Sequence, residues 1–397
     1  MTRTVSGWMG LLGAVALVHC DCGSPVSAQD STLPESCAQV APVSAKQKTD
    51  ILFVIDNSGS MEEEQAAVAS ELSSFVSALR QGSGLEQDFQ FGVITTSAYR
   101  HPIGGGFFEN DYASQAGRLQ AVPLSGERIL SGSDPDVVTK FSALVQQGTS
   151  GSTQETPFEV VRRALTAPLI DTPPAQDGNQ GFLRDGARLL VVVVSDEDDC
   201  SEMPPYPSDV RVGVDPNVST CTQGAAQLTP VSEYANVFRN LVDGNGAARE
   251  VLWAAIAPVA VSDKRAEEVV ISGRVQNADC ITSLQGGYRH RAMAALFDPE
   301  LENLDSICSA SYRDSLLRIA ILATLGQSVE IMSAPDPRLL RVAIERGGGS
   351  VDLCTLTNGG IRYEPKFGGR PARIQFQNQC ARRAADVNVT IDLICAG

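Results

Sequence analysis

Residues 51–60 of the chain read ILFVIDNSGS, an unbroken apolar run followed by small and polar residues. A continuous apolar run of this length is typical of a strand that is buried on both faces of a parallel sheet. Residues 61–79 follow, with apolar side chains at helical spacing from Val68 to Leu79. Gly82 then marks the end of the helix. This strand–loop–helix unit predicts an α/β fold.

The same alternation of strands and helices continues to about residue 325. Further apolar runs predict strands over residues 89–95, 189–194 and 251–256. Amphipathic segments predict helices over residues 137–145, 157–165, 234–242 and 312–325. Strands that alternate with helices in this way form a mostly parallel sheet. We therefore predict a doubly wound, mostly parallel α/β sheet of the Rossmann-like type.

The pattern of apolar residues changes from alternating strands and helices to strands alone at about residue 327. Segments with period-two alternation follow, at residues 328–331, 340–344, 361–363, 373–376 and 387–393. Together they predict a small antiparallel β-rich appendage. The segment around residue 340 is ambiguous, because residues 339–345 could also form a helix. We expect a main domain over residues 48–326 and a β-rich subdomain over residues 327–397.

The first residues have the composition of an export signal. Arg3 precedes an apolar stretch over residues 8–18, which is too short to span a bilayer. Two endings remain open: a signal peptide over residues 1–28, or a lipoprotein signal that ends before Cys20, which would then carry the lipid. His19 departs from the small residue expected before a lipidated cysteine. A linker is expected after the signal, over residues 29–47.

Composition and charge narrow the class of protein. The chain has 397 residues, of which 43% are apolar and 20% charged, as in globular proteins. The net charge of −16 argues against nucleic acid as a partner, because a phosphate backbone needs a basic face. With the export signal, we expect a lipoprotein of the outer membrane, periplasm or cell surface, or otherwise a secreted protein. Contact with a membrane is expected only through a lipid anchor.

The cysteines agree with export. Ten are present, and an even number of eight lies beyond the signal, which indicates disulfides in an exported chain. Proximity in sequence favours the pairs Cys200–Cys221 and Cys280–Cys308. Three others fall in the β-rich region and are expected to staple it; they are Cys354, Cys380 and Cys395. The complete pairing is left open.

Polar residues follow two of the predicted buried strands. Asp56, Ser58 and Ser60 come directly after the first strand, and residues 195–200 read SDEDDC after the strand at 189–194. Ligands of open α/β sheets bind where the strands end, so we expect Asp196 to lie beside Asp56. Oxygen ligands from Asp, Ser and Thr suit a hard divalent cation and not zinc.

This constellation resembles the von Willebrand factor A (VWA) domain and its metal-ion-dependent adhesion site (MIDAS), over residues 48–325. The resemblance implies that Asp56, Ser58, Ser60 and Asp196 hold a metal ion. It also implies a threonine from residues 149–156. Thr153 is preferred for this role, and Thr156 is the alternative. Glu155 is unusual for this loop of the family and is a candidate to compensate.

The resemblance also implies a function. The hydroxyls would bind Mg²⁺, or Mn²⁺ or Ca²⁺, directly, while Asp56 and Asp196 act largely through water. One coordination position would stay open for an Asp or Glu of a protein partner. We therefore expect a metal-dependent, adhesion-type protein-binding module without catalysis of its own. Two alternatives remain: a structural protein of the cell envelope with an unused metal site, and a metal-dependent hydrolase that uses the acidic residues 196–199.

Other polar residues are assigned minor roles. Asp198 and Asp199 are expected in a solvated acidic loop held by Cys200; the alternative is that they extend the metal site. His101 and His290 are expected at the surface or in loops. The sequence contains no G-x-S-x-G elbow, P-loop or G-x-G-x-x-G motif, so serine hydrolase and nucleotide chemistry have no support.

Overall fold

The structure is a computed structural model. It describes residues 41–42, 45–82, 85–98, 102–104, 107–108, 112, 114–152, 154–203, 225–271, 274–280, 283, 285–331, 336–367, 371–383 and 386–393. The helices of this part of the chain are α1 (Glu62–Gln81), α2 (Val137–Val145), α3 (Pro157–Leu165), α4 (Val231–Arg239), α5 (Tyr288–Phe297) and α6 (Arg313–Thr324). Among the described helices, none is both long and apolar enough to cross a membrane.

The strands form a large sheet, a smaller four-stranded sheet and two isolated strand pairs. They are β1 (Ala41–Pro42), β2 (Ala45–Ile55), β3 (Glu86–Thr95), β4 (Pro102–Gly104), β5 (Phe107–Phe108), β6 (Leu130–Ser131), β7 (Arg188–Val194), β8 (Val251–Ala257), β9 (Glu268–Ile271), β10 (Arg274–Asn277), β11 (Leu304–Ser306), β12 (Ser328–Ile331), β13 (Leu340–Arg346), β14 (Val351–Cys354), β15 (Ile361–Glu364), β16 (Ala372–Phe376) and β17 (Asp386–Leu393).

The centre of the large sheet is parallel. Strands β3, β2, β7, β8 and β11 lie side by side in that order, and β6 adds an antiparallel edge next to β3. In the register of the sheet, Ile55 lies opposite both Thr95 and Val194. The loops that follow β2, β3 and β7 therefore leave the sheet at the same edge.

Helices cover both faces of the parallel sheet. Alternate residues of β2 point to opposite faces, because the side-chain period of a strand is two. Phe53 packs in a core with residues of α1, α2 and α6, whereas Leu52 and Val54 pack in a second core with residues of α3, α4 and α5. Trp253 is buried in this second core. The predicted doubly wound α/β fold is confirmed.

The C-terminal strands form a small antiparallel sandwich that continues the large sheet. Strand β12 pairs antiparallel with the beginning of β2, and β16 and β15 follow outward. The second sheet has the order β1, β17, β13, β14. A separate apolar core lies between the two sheets and includes Val342, Ile374 and Ile391. Residues 340–346 are a strand, so the alternative of a helix at 339–345 is wrong.

Candidate metal centre

Asp56 follows the last residue of β2 and lies at the carboxyl edge of the parallel strands. Its side chain is fully buried. The Oδ1 atom accepts a 2.8 Å hydrogen bond from the backbone N–H of Ser58, and Oδ2 accepts a 2.6 Å hydrogen bond from the hydroxyl of Ser195. Burial raises the pKa of Asp56, although these hydrogen bonds oppose the rise. Both carboxylate oxygens are thus engaged by the protein.

Ser58 and Ser60 bring two hydroxyls together in the loop after β2. The two Oγ atoms lie 3.3 Å apart. Ser58 is buried, whereas Ser60 is exposed to solvent. The hydroxyl pair therefore reaches from the interior to the surface, as a site that also admits a ligand from outside would require.

Asp196 enters the same region from the end of β7. Its side chain is 2% exposed, and its Oδ1 has no hydrogen-bond partner among the described residues. Burial raises the pKa of Asp196 to about 7, and the charge of Asp56 contributes to the rise, while the hydroxyl of Ser60 lowers it. The structure therefore brings the predicted residues Asp56, Ser58, Ser60 and Asp196 to one edge of the sheet.

Of the two candidate threonines, the structure describes only Thr156. Thr153 lies outside the described residues. Thr156 is buried, and its hydroxyl donates a 2.7 Å hydrogen bond to the carbonyl oxygen of Thr96. The hydroxyl proton of Thr156 is thus committed to the loop after β3.

Glu155 is a further carboxylate in this region. Its side chain is fully buried, and neither carboxylate oxygen has a hydrogen-bond partner among the described residues. Burial raises its pKa well above the ordinary value, and the charges of Asp56, Glu197 and Asp196 add to the rise, while the hydroxyl of Thr96 lowers it. The backbone carbonyl of Glu155 accepts a 2.7 Å hydrogen bond from Cys200 N–H, which fixes its position beside the loop after β7.

A buried glutamine that the sequence analysis did not single out joins the loops of the site. The Nε2 atom of Gln65 donates to the carbonyl oxygens of Asp56, at 2.8 Å, and Gly148, at 2.9 Å. Its Oε1 accepts a 3.0 Å hydrogen bond from Gly148 N–H. A polar residue on the otherwise apolar face of α1 was the available signal, since Gln65 lies one turn before Val68.

The acidic segment after β7 is buried, so the expected solvated loop at Asp198 and Asp199 is wrong. Asp198 accepts hydrogen bonds from the backbone N–H groups of Arg289 and His290 at the beginning of α5. Asp199 accepts a 3.0 Å hydrogen bond from Phe158 N–H at the beginning of α3. Helix N-termini carry unpaired N–H groups and partial positive charge, which favour carboxylates there. The segment thus ties two helices to the end of β7.

His290 is also buried, which corrects the expectation of a surface or loop histidine. It lies in α5, with Nε2 3.2 Å from the carbonyl oxygen of Glu197. Burial lowers its pKa to about 4, so the ring is neutral at physiological pH and packs against Phe158. His101 lies outside the described residues.

Two disulfides are present among the described residues. Cys280 is bonded to Cys308, as predicted, and Cys354 is bonded to Cys380 in the β-rich region. Cys200 is disulfide-bonded. The expected partner of Cys200, Cys221, lies outside the described residues, as do Cys395, Cys37 and the predicted lipidation site Cys20.

The residues at this edge fit a hard cation. Among the described residues, no three His, Cys, Asp or Glu side chains form a cluster of metal ligands. An ion held by the described residues of this edge would therefore be bound by hydroxyls together with few carboxylates. The unpartnered oxygens of Asp196 and Glu155 are the feature that fits best, because a buried carboxylate without a partner is costly and a cation neutralises it. Oxygen donors alone suit Mg²⁺, Mn²⁺ or Ca²⁺.

Comparison with known proteins shows only distant likenesses. No family model matches the chain, and no curated protein matches it. Similar solved structures include manganese-loaded TRAP protein of Plasmodium vivax, with 12% identity over 80% of this chain and 96% of that chain and a TM-score of 0.34. The pilus adhesin SpaC of Lactobacillus rhamnosus GG has 10% identity over 87% of this chain and 38% of that chain, with a TM-score of 0.35.

Another similar structure is proximal thread matrix protein 1 of the mussel byssus. It has 11% identity over 71% of this chain and 49% of that chain, with a TM-score of 0.32. The chain thus spans about half or less of the length of SpaC and of the byssus protein. Identities and TM-scores of this size do not transfer a function.

Proposed function

We propose that the chain is an exported, metal-dependent protein-binding module of the VWA type, without catalysis of its own. One observation carries this proposal. The hydroxyls of Ser58 and Ser60 meet 3.3 Å apart, at the sheet edge where the buried Oδ1 of Asp196 has no partner among the described residues. Hydroxyls and a few carboxylates at the ends of parallel strands are the donor set that the VWA resemblance implies.

Each residue has a separate role in this proposal. Ser58, Ser60 and Thr153 offer hydroxyl oxygens to Mg²⁺, or to Mn²⁺ or Ca²⁺. Asp56 acts through water and orients the loop, because both of its oxygens already accept hydrogen bonds. The buried Oδ1 of Asp196 has no hydrogen-bond partner among the described residues and is available to the ion. When bound, the ion would offer an open coordination position to a carboxylate oxygen.

The partner that fits this site is a protein that presents an Asp or Glu. Ser60 is exposed, so an acidic side chain can approach the site from solvent. The approach must overcome the net charge of −16 of this chain, which the cation offsets locally. The same net charge makes nucleic acid an unfavourable partner.

Export is supported by the disulfides Cys280–Cys308 and Cys354–Cys380, because disulfides persist in oxidising compartments. We further propose that Cys20 carries a lipid that tethers the protein to a membrane, at the outer membrane or cell surface. The apolar stretch before Cys20 and the polar linker after it are the basis of this proposal.

A hydrolase is a less favourable interpretation of the acidic segment. Asp198 and Asp199 accept hydrogen bonds from the N-termini of α5 and α3, and His290 is buried and neutral. These groups serve packing between helices and are poorly placed to move a proton to a substrate. A structural envelope protein with an unused metal site remains the alternative, and metal binding distinguishes it.

The proposal is tested by the relaxation of water protons in the presence of Mn²⁺ and the protein. A bound ion with an open position holds exchangeable water and enhances the relaxation rate. Added acetate should then reduce the enhancement as its carboxylate replaces the water, and sodium chloride at equal ionic strength should not. Absence of enhancement, or an enhancement that acetate leaves unchanged, would contradict the proposal. Asp56→Ala should remove the signal, while Asp171→Ala, at an exposed position, should retain it.

A further inference from the structure

Glu155 is the most unusual residue of the candidate metal centre. Its two carboxylate oxygens are buried and have no hydrogen-bond partner among the described residues. Its neighbours include the carboxylates of Asp56, Asp196 and Glu197, which act on it electrostatically. Among the described residues, no arginine or lysine forms a salt bridge with Glu155. The hydroxyl of Thr96 favours the charged form of this carboxyl, but it does not offset the loss of hydration.

Other buried acids of the same segment are compensated differently. Glu159, in the first turn of α3, is fully buried and forms ion pairs with Arg162 and Arg163, each at 2.6 Å. Asp199 pairs with Arg289 at 2.9 Å. The protein therefore places arginines beside the buried acids that serve packing, and Glu155 lacks one. Without an arginine, Glu155 is neutralised either by a proton, as in the metal-free protein, or by a bound cation that displaces the proton.

We propose that Glu155 is a resident carboxylate of the metal centre and makes the site selective for Ca²⁺ over Mg²⁺. The inference rests on the proposed function, since it requires an ion at Ser58, Ser60 and Asp196. Mg²⁺ requires near-octahedral coordination and keeps several waters, whereas Ca²⁺ takes about six to eight oxygen ligands. Glu155 adds two buried oxygens to the hydroxyls and to Asp196. The larger shell of Ca²⁺ accommodates them and still leaves a position for the carboxylate of a partner.

Glu155 and Asp56 differ in how many of their carboxylate oxygens are free to bind the ion. Both oxygens of Asp56 already accept a hydrogen bond, from Ser58 N–H and from the Ser195 hydroxyl, so Asp56 acts on the ion through water and through its charge. Both oxygens of Glu155 remain available among the described residues. Removing Glu155 should therefore change the choice of ion, in addition to the strength of binding.

The experiment is a calorimetric titration of Ca²⁺ and of Mg²⁺ into the metal-free protein, for the wild type and for Glu155→Gln. The wild type should bind Ca²⁺ more tightly than Mg²⁺. In Glu155→Gln, the Ca²⁺ affinity should fall by about 10- to 100-fold, and the Mg²⁺ affinity should fall less, so that the preference for Ca²⁺ shrinks by about tenfold or more. The shift in melting temperature on adding each ion gives an independent readout with the same expected order.

Glu197→Gln is the matched control, because it removes a negative charge from the same buried region. The carboxylate of Glu197 already accepts a 3.0 Å hydrogen bond from Gln285. This variant should weaken both ions alike and leave their ratio unchanged. A ratio that shifts equally in Glu197→Gln and Glu155→Gln would overturn the assignment of selectivity to Glu155.

The remaining outcomes separate this inference from the proposed function. If the wild type binds neither ion, both are wrong. If the wild type binds an ion and Glu155→Gln leaves the ratio of affinities unchanged, only the role of Glu155 is wrong. Should Glu155→Gln fail to fold, Glu155→Asp keeps the charge but shortens its reach. That variant should lose Ca²⁺ affinity, and an unchanged Ca²⁺ affinity would overturn the inference.

Discussion

The hydroxyl of Ser195 donates a 2.6 Å hydrogen bond to Oδ2 of Asp56, and this bond joins the ends of the adjacent parallel strands β7 and β2. A backbone hydrogen bond also joins the two strand ends, since Asp56 N–H donates to the carbonyl oxygen of Val194 at 3.0 Å. Because Oδ1 of Asp56 accepts from Ser58 N–H, both oxygens of the carboxylate are held. Ser195 therefore orients Asp56 toward the candidate metal centre.

Ser195→Ala should weaken both the fold and metal binding. The variant leaves Oδ2 of Asp56 buried without its donor, which costs about 1–3 kcal/mol of the free energy of unfolding in chelator. Loss of an orienting group should also lower Mg²⁺ affinity by about 10- to 100-fold. Urea unfolding and calorimetry measure the two effects. Ser70→Ala, on the exposed face of α1, is the control. A Ser195→Ala protein with the same free energy of unfolding and the same Mg²⁺ affinity as this control would refute the orienting role.

The stability of the metal-free protein should fall as the pH rises from about 6.5 to about 8. Burial raises the pKa of Asp50 to about 6 and the pKa values of Asp196 and Asp198 to about 7, from 3.8. In this window the folded state binds more protons than the unfolded state, so stability decreases with pH. His290, with its pKa lowered from 6.5 to about 4, acts in the opposite direction mainly between these two values and offsets only a minor part of the fall above pH 6.5.

Urea unfolding in EDTA at the two pH values measures this dependence. Asp196→Asn should reduce the slope, because it removes one of the titrating groups. Stability that is constant across the window, or higher at the upper pH, would show that these carboxyl groups do not carry the assigned pKa shifts.

The two disulfides should affect metal binding differently. Ser283, three residues after Cys280, donates a hydrogen bond from its hydroxyl to the carbonyl oxygen of Asp196, so the Cys280–Cys308 bridge anchors a segment that contacts the site. The double variant Cys280→Ser with Cys308→Ser should lose about 2–4 kcal/mol of unfolding free energy and also bind Mg²⁺ more weakly. Unchanged Mg²⁺ affinity in that variant would contradict the anchoring role.

The bridge in the β-rich region provides the matched comparison. The double variant Cys354→Ser with Cys380→Ser should lose a similar stability and keep its Mg²⁺ affinity, since this bridge lies in the core of the C-terminal sandwich. Denaturant unfolding and calorimetry under non-reducing conditions measure both quantities.

Cys20→Ser should release the protein from membranes. If Cys20 carries a lipid, the wild type should sediment with membranes and the variant should appear in the soluble fraction. Cys22→Ser is the control, because it removes a neighbouring cysteine and leaves the lipid attachment intact. A wild type that is already soluble would disprove the tether.

The sequence was sufficient for the parallel strands and for the polar residues that follow them. The apolar runs that became β2 and β7 have few alternatives to burial in a parallel sheet, and parallel strands end at a common edge. Asp56 and Asp196 were therefore predicted to be neighbours, and both reach the same edge. Helix α4 was predicted at 234–242 but spans 231–239, since local spacing determines helix ends poorly.

Contacts between distant segments were not predictable. Gln65 and Ser195 are common polar residues whose roles appear only when α1 and β7 are placed against the loops of the site. Asp198 and Asp199 resemble a solvated acidic run in sequence, but the N-termini of α5 and α3 supply donors that stabilise them in the interior. These partners lie about 40 to 90 residues away along the chain, so the pattern of neighbouring residues in the sequence could not predict them.

We propose above that Asp56, Ser58, Ser60 and Asp196 hold a divalent cation. The decisive measurement is a calorimetric titration of Mg²⁺ and of Mn²⁺ into the oxidised, chelator-treated protein, with the wild type beside Asp56→Ala. We predict saturable binding by the wild type and none by Asp56→Ala, whose circular dichroism should remain that of the folded wild type. Equal binding by the two proteins, or no binding by a correctly oxidised wild type, would contradict the claim.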